Sequence, residues 1–248
     1  MHALPLFLAL LYGAAAGALL PRPLYRLAVE PDRPWRSACP RGHPIAGWAG
    51  RAVCPSCPAG SRTYGPGASP RPWGRPVVTA VVCGALAAST GARPELAVWL
   101  LAAPVAVALA EVDRAVRRLP DVLTLPLAAG VAALLGLAAL LPGAAGSWTG
   151  ALLGGAALAG GYFLLFLINP SGMGFGDVKL AVALGCALGW YGWGVLFAGA
   201  FLGLLLGSVY GVWLMISGRG RRGTTMALGP YMIAGAWLGL LLGGAAAA

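Results

Sequence analysis

Four carboxylates fall within or at the ends of apolar stretches on the side that carries most of the chain's basic residues: Glu111, Asp113, Asp121 and Asp177. The chain holds only seven acidic residues, so where they stand is informative. An ionisable group near hydrocarbon is expensive, and it is a functional candidate for that reason. Asp113 ends an apolar run and opens a basic one that leads to Leu119-Pro120-Asp121. Its plainer alternative is a residue that marks where a helix leaves the membrane. Asp121 follows Pro120 at the start of another apolar run. An N-cap is its natural role, with the carboxylate accepting backbone N–H groups at the positive end of the helix dipole. Asp177 closes the run Gly172-Met173-Gly174-Phe175-Gly176-Asp177, with Lys179 just beyond. It too could be an N-cap. A cap alone does not call for alternate glycines, which let a backbone approach other chains closely and adopt positive φ.

A second constellation lies upstream. Cys39, His43, Cys54 and Cys57 read C-x3-H-x10-C-x2-C. Three sulfurs and one imidazole at this spacing make a complete tetrahedral zinc set. A loop this rich in Arg, Pro and Gly cannot build an apolar core, and a structural metal would supply folding energy instead. Incidental thiols in a loop are the alternative. A catalytic metal fits less well, because four protein ligands leave no open position. Cys83 and Cys186 lie inside apolar runs and are read as small buried hydrophobes.

The elements that position these residues follow from composition. Hydrophobic residues make up 59% of the chain and charged residues 10%, against about 25% charged in soluble domains. Eight apolar stretches approach the roughly 20 residues that span a bilayer. They fall at about 3–20, 76–92, 95–112, 122–141, 148–168, 177–191, 193–217 and 226–246. The expectation is an all-α, polytopic membrane bundle of about eight transmembrane helices. The first lacks a basic leader and is expected to be a membrane anchor. Residues 21–75 form the one long polar stretch, expected to be a loop-rich Cys/His module without regular helix. Residues 76–248 then form the catalytic bundle. Gly199, Gly203, Gly207 and Gly211 share a helix face, as do Gly235, Gly239 and Gly243. Such spacing lets helices in lipid pack closely.

The formal net charge of +10 could suggest nucleic acid, but its placement argues otherwise. Arg22, Arg26, Arg33, Arg36, Arg41, Arg51, Arg62, Arg71 and Arg75 fall in the first long loop. Arg114, Arg117 and Arg118 fall in the next loop on the same side, and Arg219, Arg221 and Arg222 in the last. Arg93 alone lies opposite. This is a positive-inside pattern: these loops are expected in the cytoplasm, both termini outside, and no nucleic acid is bound. The basic loops suit anionic lipid headgroups.

Together these residues carry a resemblance to the type IV prepilin peptidases. Gly174-Phe175-Gly176-Asp177 is a GxGD motif, and Gly172 to Leu180 is similar to the family's second active-site segment. Asp113, separated by five residues from Leu119-Pro120-Asp121, resembles the first. Cys39-Pro40-Arg41-Gly42-His43-Pro44-Ile45 resembles the family's first cysteine segment, Cys54-Pro55-Ser56-Cys57 its second, and Leu228-Gly229-Pro230-Tyr231 a Gly-Pro-Tyr segment. One of the family's usual four cysteines is missing, with His43 nearby as a replacement ligand. The family's Gly-Ser-Phe-x-Asn-like segment in the first helix is replaced by Gly17 to Arg26.

The resemblance implies an aspartyl endopeptidase in the plasma (inner) membrane, with Asp113 and Asp177 as catalytic pair and Gly174, Gly176, Lys179, Pro120 and Asp121 as supporting motif residues. The implied substrate is a prepilin-like protein with a short basic leader ending in Gly and an apolar helix after it, cut on the cytoplasmic side. Proteolysis would need no cofactor. S-adenosylmethionine enters only if the new amine is also methylated. Two carboxylates held together would share one proton, one activating water and the other donating to the oxyanion. Other classes stay open: a membrane scaffold or ion or proton transporter using the same carboxylates, a GxGD protease of the presenilin kind, or a methyltransferase without protease activity.

Overall fold

A computed structural model describes residues 3–30, 33–58, 61–65, 73–170, 172–218 and 226–247. Among them are nine helices and no strand. In order they are α1 (Ala3–Leu19), α2 (Pro21–Leu27), α3 (Gly74–Thr90), α4 (Glu95–Val116), α5 (Asp121–Ala138), α6 (Trp148–Ile168), α7 (Phe175–Trp190), α8 (Trp193–Ile216) and α9 (Gly229–Ala246). All eight expected segments are helical. Of the basic residues, Arg71, Arg219, Arg221 and Arg222 lie outside the described residues.

The number of spans differs from the expectation. Five helices, α4, α5, α6, α8 and α9, are long and apolar enough to cross a membrane. The pair α1 and α2, bent by 44°, would make a sixth. At 17 residues, α3 is shorter. With 16 residues, α7 extends about 24 Å, less than the roughly 30 Å hydrocarbon layer. It is sheathed by protein instead: Ala183 to Trp190 are buried without a break, and α5, α6, α8 and α9 all pack on it.

Glycine makes the tightest of these contacts possible. A Cβ on Gly154 of α6 would lie 2.6 Å from the Gly185 carbonyl oxygen of α7. One on Gly150 would lie 2.8 Å from that of Gly189. No side chain larger than hydrogen fits there, so the two backbones meet directly. The expected stripes behave likewise: Gly235 of α9 meets the backbone of Gly199 and Gly203 on α8.

Local chemistry corrects three expectations. The loop expected without helix contains α2, begun by Pro21 and Pro23, whose fixed φ suits a first turn. The third span does not stop near residue 112. It continues one turn to Val116, so Asp113 stands on the helix and not at its end. Arg117 then takes a left-handed backbone (φ 52°), donates its N–H to the Asp113 carbonyl at 2.7 Å and closes α4. Asp121 is not an N-cap. Pro120, extended, holds that position, and Asp121 is the first helical residue, with no side-chain cap.

Candidate active site

The last turn of α4 delivers Asp113 and the first turn of α7 delivers Asp177, and both line one cavity of about 460 Å³. They are 4% and 7% exposed. Backbone amides hold each of them. Asp113 Oδ2 accepts from the Gly229 N–H, at the start of α9, at 3.0 Å. Asp177 Oδ2 accepts from the Gly174 N–H at 3.2 Å, while the Asp177 N–H donates back to the Gly174 carbonyl. Asp177 is thus the third residue of its helix, and Gly174 is the cap.

The glycines work differently from what the motif suggests. Neither Gly174 nor Gly176 has positive φ. Gly176 is needed for proximity: a Cβ there would lie 3.0 Å from Leu119 Cβ, in the turn between α4 and α5. That contact brings the two aspartate-bearing segments together. Gly229 is needed for the same reason, since a Cβ would fall 2.8 Å from Asp113 Oδ2. Sequence reasoning marked the Gly229 segment only as a likeness. Its role as donor to an aspartate 116 positions earlier was not readable.

Lys179 and Asp121 meet each other and not the buried carboxylates. The ammonium donates to both Asp121 oxygens at 2.7 Å, clasping the start of α7 to the start of α5, and lies 5.3 Å from the Phe175 ring centre. Pro120 sets the turn, and its carbonyl accepts from the buried Thr124 hydroxyl. Tyr162 of α6, buried and within electrostatic reach of Asp177, was missed. Nothing in its apolar neighbours Gly161 and Phe163 marks it.

The other sequence-read cluster is also assembled. The ligand atoms of Cys39, His43, Cys54 and Cys57 all lie within 4.8 Å of one another. His43 Nδ1 is 3.6, 3.7 and 3.3 Å from the sulfurs of Cys39, Cys54 and Cys57, and Cys39 and Cys57 are 3.8 Å apart. Zinc–ligand bonds of about 2.0–2.3 Å in a tetrahedron put ligand atoms roughly 3.3–3.8 Å apart, so the residues fit the ion. Two short hairpins present them, pinned by bridges between Ala38 and Pro44 and between Val53 and Thr63. Gly42, at φ 84°, makes the first turn. Burial raises the Cys57 thiol, helped by the sulfurs of Cys54 and Cys39, to about 11. Burial opposes ionisation of Cys39 as well, but amides of Arg41 and His43, the His43 ring and the Cys57 thiol outweigh it and bring it to about 6.

Helix α2 joins this module to the bundle. Its Arg22 guanidinium donates to the carbonyls of Ala46, Ala49 and Arg51, and Arg26 to that of Gly47. Leu24 and Leu27 on the same helix pack on Ala108 and Val112 of α4, beside Asp113.

Residues 99–216 match the type IV leader peptidase family. That stretch contains both buried aspartates and the Asp121–Lys179 pair. Among curated relatives, the chain is 32% identical over 209 residues to a prepilin leader peptidase/N-methyltransferase of Pseudomonas aeruginosa, covering 79% of this chain and 68% of that protein. It is 31% identical over 218 residues to one of Burkholderia pseudomallei, covering 80% and 64%. For one of Pseudomonas putida the figures are 37% over 128 residues, 50% and 42%. The chain thus spans from about two fifths to about two thirds of these relatives' lengths. No solved structure matches it. On the strength of the family match and the long alignments, this chain belongs to the type IV leader peptidase family and is by that membership a protease.

Proposed function

We propose that the chain is a multi-pass membrane aspartyl endopeptidase that removes the leader of prepilin-like proteins, with Asp113 and Asp177 as its catalytic pair. The observation that carries this reading is the convergence of two buried carboxylates, from α4 and α7, on one cavity. The names of the relatives supply the substrate class.

Two carboxylates sharing a low-dielectric site hold one proton between them. The ionised one takes a proton from water as the water oxygen bonds to the peptide carbonyl carbon. The protonated one donates to the carbonyl oxygen. When the C–N bond breaks, a proton goes to the leaving amine, and the pair is regenerated. The Gly229 and Gly174 N–H groups fix the carboxylates and favour charge on the oxygens they hold. The Arg-bearing loops support a placement of the site at the cytoplasmic face of the inner membrane.

The test is cleavage of a membrane-embedded prepilin by wild type, Asp113→Asn and Asp177→Asn, read by N-terminal mass. Loss of general acid–base function predicts at least a roughly 10³-fold drop in each variant with unchanged melting. A folded variant that cuts at the wild-type rate would return that aspartate to a helix-boundary role. The same spectrum reports any methyl group added from S-adenosylmethionine.

The Cys/His module is proposed to hold one structural zinc through Cys39, His43, Cys54 and Cys57, stabilising the hairpins. Metal analysis should find one zinc per chain, lost in Cys54→Ser. Binding displaces thiol protons, so zinc affinity should rise with pH, and a metal content independent of these residues would dispose of the site.

A further inference from the structure

Tyr162 is a buried polar group to which the mechanism above gives no task. It is 4% exposed, and on α6 only Ala151, Gly154 and Gly155 share its burial. All other side chains of that helix after Thr149 are apolar. The place of Tyr162 follows from the glycine seam. Gly150 of α6 meets Gly189 of α7, and Gly154 meets Gly185: a turn forward on one helix is matched by a turn back on the other. The next turn is in contact as well, since a Cβ on Gly185 would lie 2.9 Å from Leu158 Cβ. One further step on each helix, from Leu158 and Ala181, brings Tyr162 opposite Asp177. Beyond that point the two segments are still together, with the Phe166 and Phe175 ring centres 5.6 Å apart.

Both side chains have bonding capacity to spare. A tyrosine hydroxyl buried in a protein usually finds a partner. That of Tyr162 has none among the described residues, yet it lies within electrostatic reach of Asp177. Asp177 has its Oδ2 held by the Gly174 N–H, and its Oδ1 has no donor among the described residues. An ionised carboxylate has room for about four hydrogen bonds. Nearby donors are engaged elsewhere: Lys179 with Asp121, and the Gly229 N–H with Asp113. Tyr162 is the donor that α6 brings to Asp177.

We propose that Tyr162 is a positioning residue for the catalytic pair: its hydroxyl donates to Asp177 Oδ1 and fixes the plane of that carboxylate. The inference rests on the peptidase reading above, in which Asp177 holds or passes a proton at a set angle. The bond forms as the site closes on a peptide, since catalytic hydrogen bonds commonly tighten only then. With one donor on each oxygen, the carboxyl group cannot turn about its Cβ–Cγ bond. Its remaining lone pairs face the cavity it shares with Asp113. The glycine seam makes this possible, because the direct backbone contact at Gly150 and Gly154 sets α6 close enough for a phenol to reach the first turn of α7.

The test uses Tyr162→Phe, which keeps the ring and removes only the hydroxyl. With a membrane-embedded prepilin as substrate, kcat should fall at least about tenfold while KM and melting stay at wild-type values. A wild-type kcat, or a loss carried by KM, would overturn the proposal. Adding Phe163→Tyr to that variant returns a hydroxyl one position away, on the exposed side of α6, and should restore nothing; recovery would show that the position is immaterial. A second measurement needs no cleavage. In the full chain labelled at the tyrosine ring carbon that bears oxygen, the Tyr162 resonance, identified by its loss in Tyr162→Phe, should move in Asp177→Asn and stay in Asp121→Asn. No movement in Asp177→Asn, or equal movement in both, would sink the contact. If wild type cuts nothing while the resonance still follows Asp177, the peptidase reading fails and the contact between Tyr162 and Asp177 stands.

Discussion

Helix α4 buries one carboxylate in its first turn and another in its last, and their surroundings differ. Asp113, near the C-terminal end, faces a cavity with a second carboxylate opposite, and Gly229 at the tip of α9 holds one of its oxygens. Glu95, at the other end, is fully buried. Its Oε1 accepts from the Ala145 N–H at 3.3 Å, and its Oε2 has no partner among the described residues. Glu95 is the more deeply buried of the two, yet burial does not make it a site. What distinguishes Asp113 is open space and a second carboxylate lining the same cavity. Glu95 ties the α5–α6 connection to α4; Asp113 is presented to a solvent-sized volume.

The comparison can be broken most forcefully at Gly229. In Gly229→Ala the new methyl collides with Asp113 Oδ2. A displacement of about 1 Å at a reacting group can lower the rate roughly 10²-fold. Cleavage should fall by that order with little change in melting, and near-wild-type cleavage would mean that Asp113 is not held for chemistry.

A smaller effect is expected at the clasp. Lys179 and Asp121 are partly exposed, so their pair is worth about 0.5–1 kcal/mol, or roughly twofold to fivefold in rate. Lys179→Asp and Asp121→Lys should each show that loss, and the doubly exchanged chain should recover most of it. No recovery would mean that the residues act separately.

The least effect belongs to Glu95→Gln, which keeps the acceptor for Ala145. Cleavage should stay within about twofold, with a melting shift of a few degrees from the altered buried polar group. A loss as deep as that of Asp113→Asn would erase the distinction between the two ends of α4.

Much of the site was legible because acids are scarce in this chain. Asp113 and Asp177 stand out against apolar runs, and the Cys/His spacing predicts its own cluster. What was hidden depends on distant partners. Asp121 looks locally like a cap, and only the fold brings Lys179 to it from 58 positions away. The Gly150–Gly189 and Gly154–Gly185 contacts were lost among 39 glycines. Helix α2 was masked by its prolines and arginines, residues that read as loop until Leu24 and Leu27 find Ala108 and Val112. Glu95 drew no notice because its partner is a backbone amide 50 residues on.

The burial of α7 on all sides bears on how the chain is made. Synthesis releases α7 before α8 and α9, two of the helices that cover it. Alone, it would carry Asp177 and Lys179 into lipid on a helix of only 16 residues. Both charges stand near its start, at the membrane boundary, and the apolar remainder is too short to span the hydrocarbon. Helices α5 and α6 are already made by then, and α6 meets α7 backbone to backbone at Gly154. The glycine seam therefore joins the aspartate-bearing helix to a neighbour made before it, ahead of the helices that complete its cover.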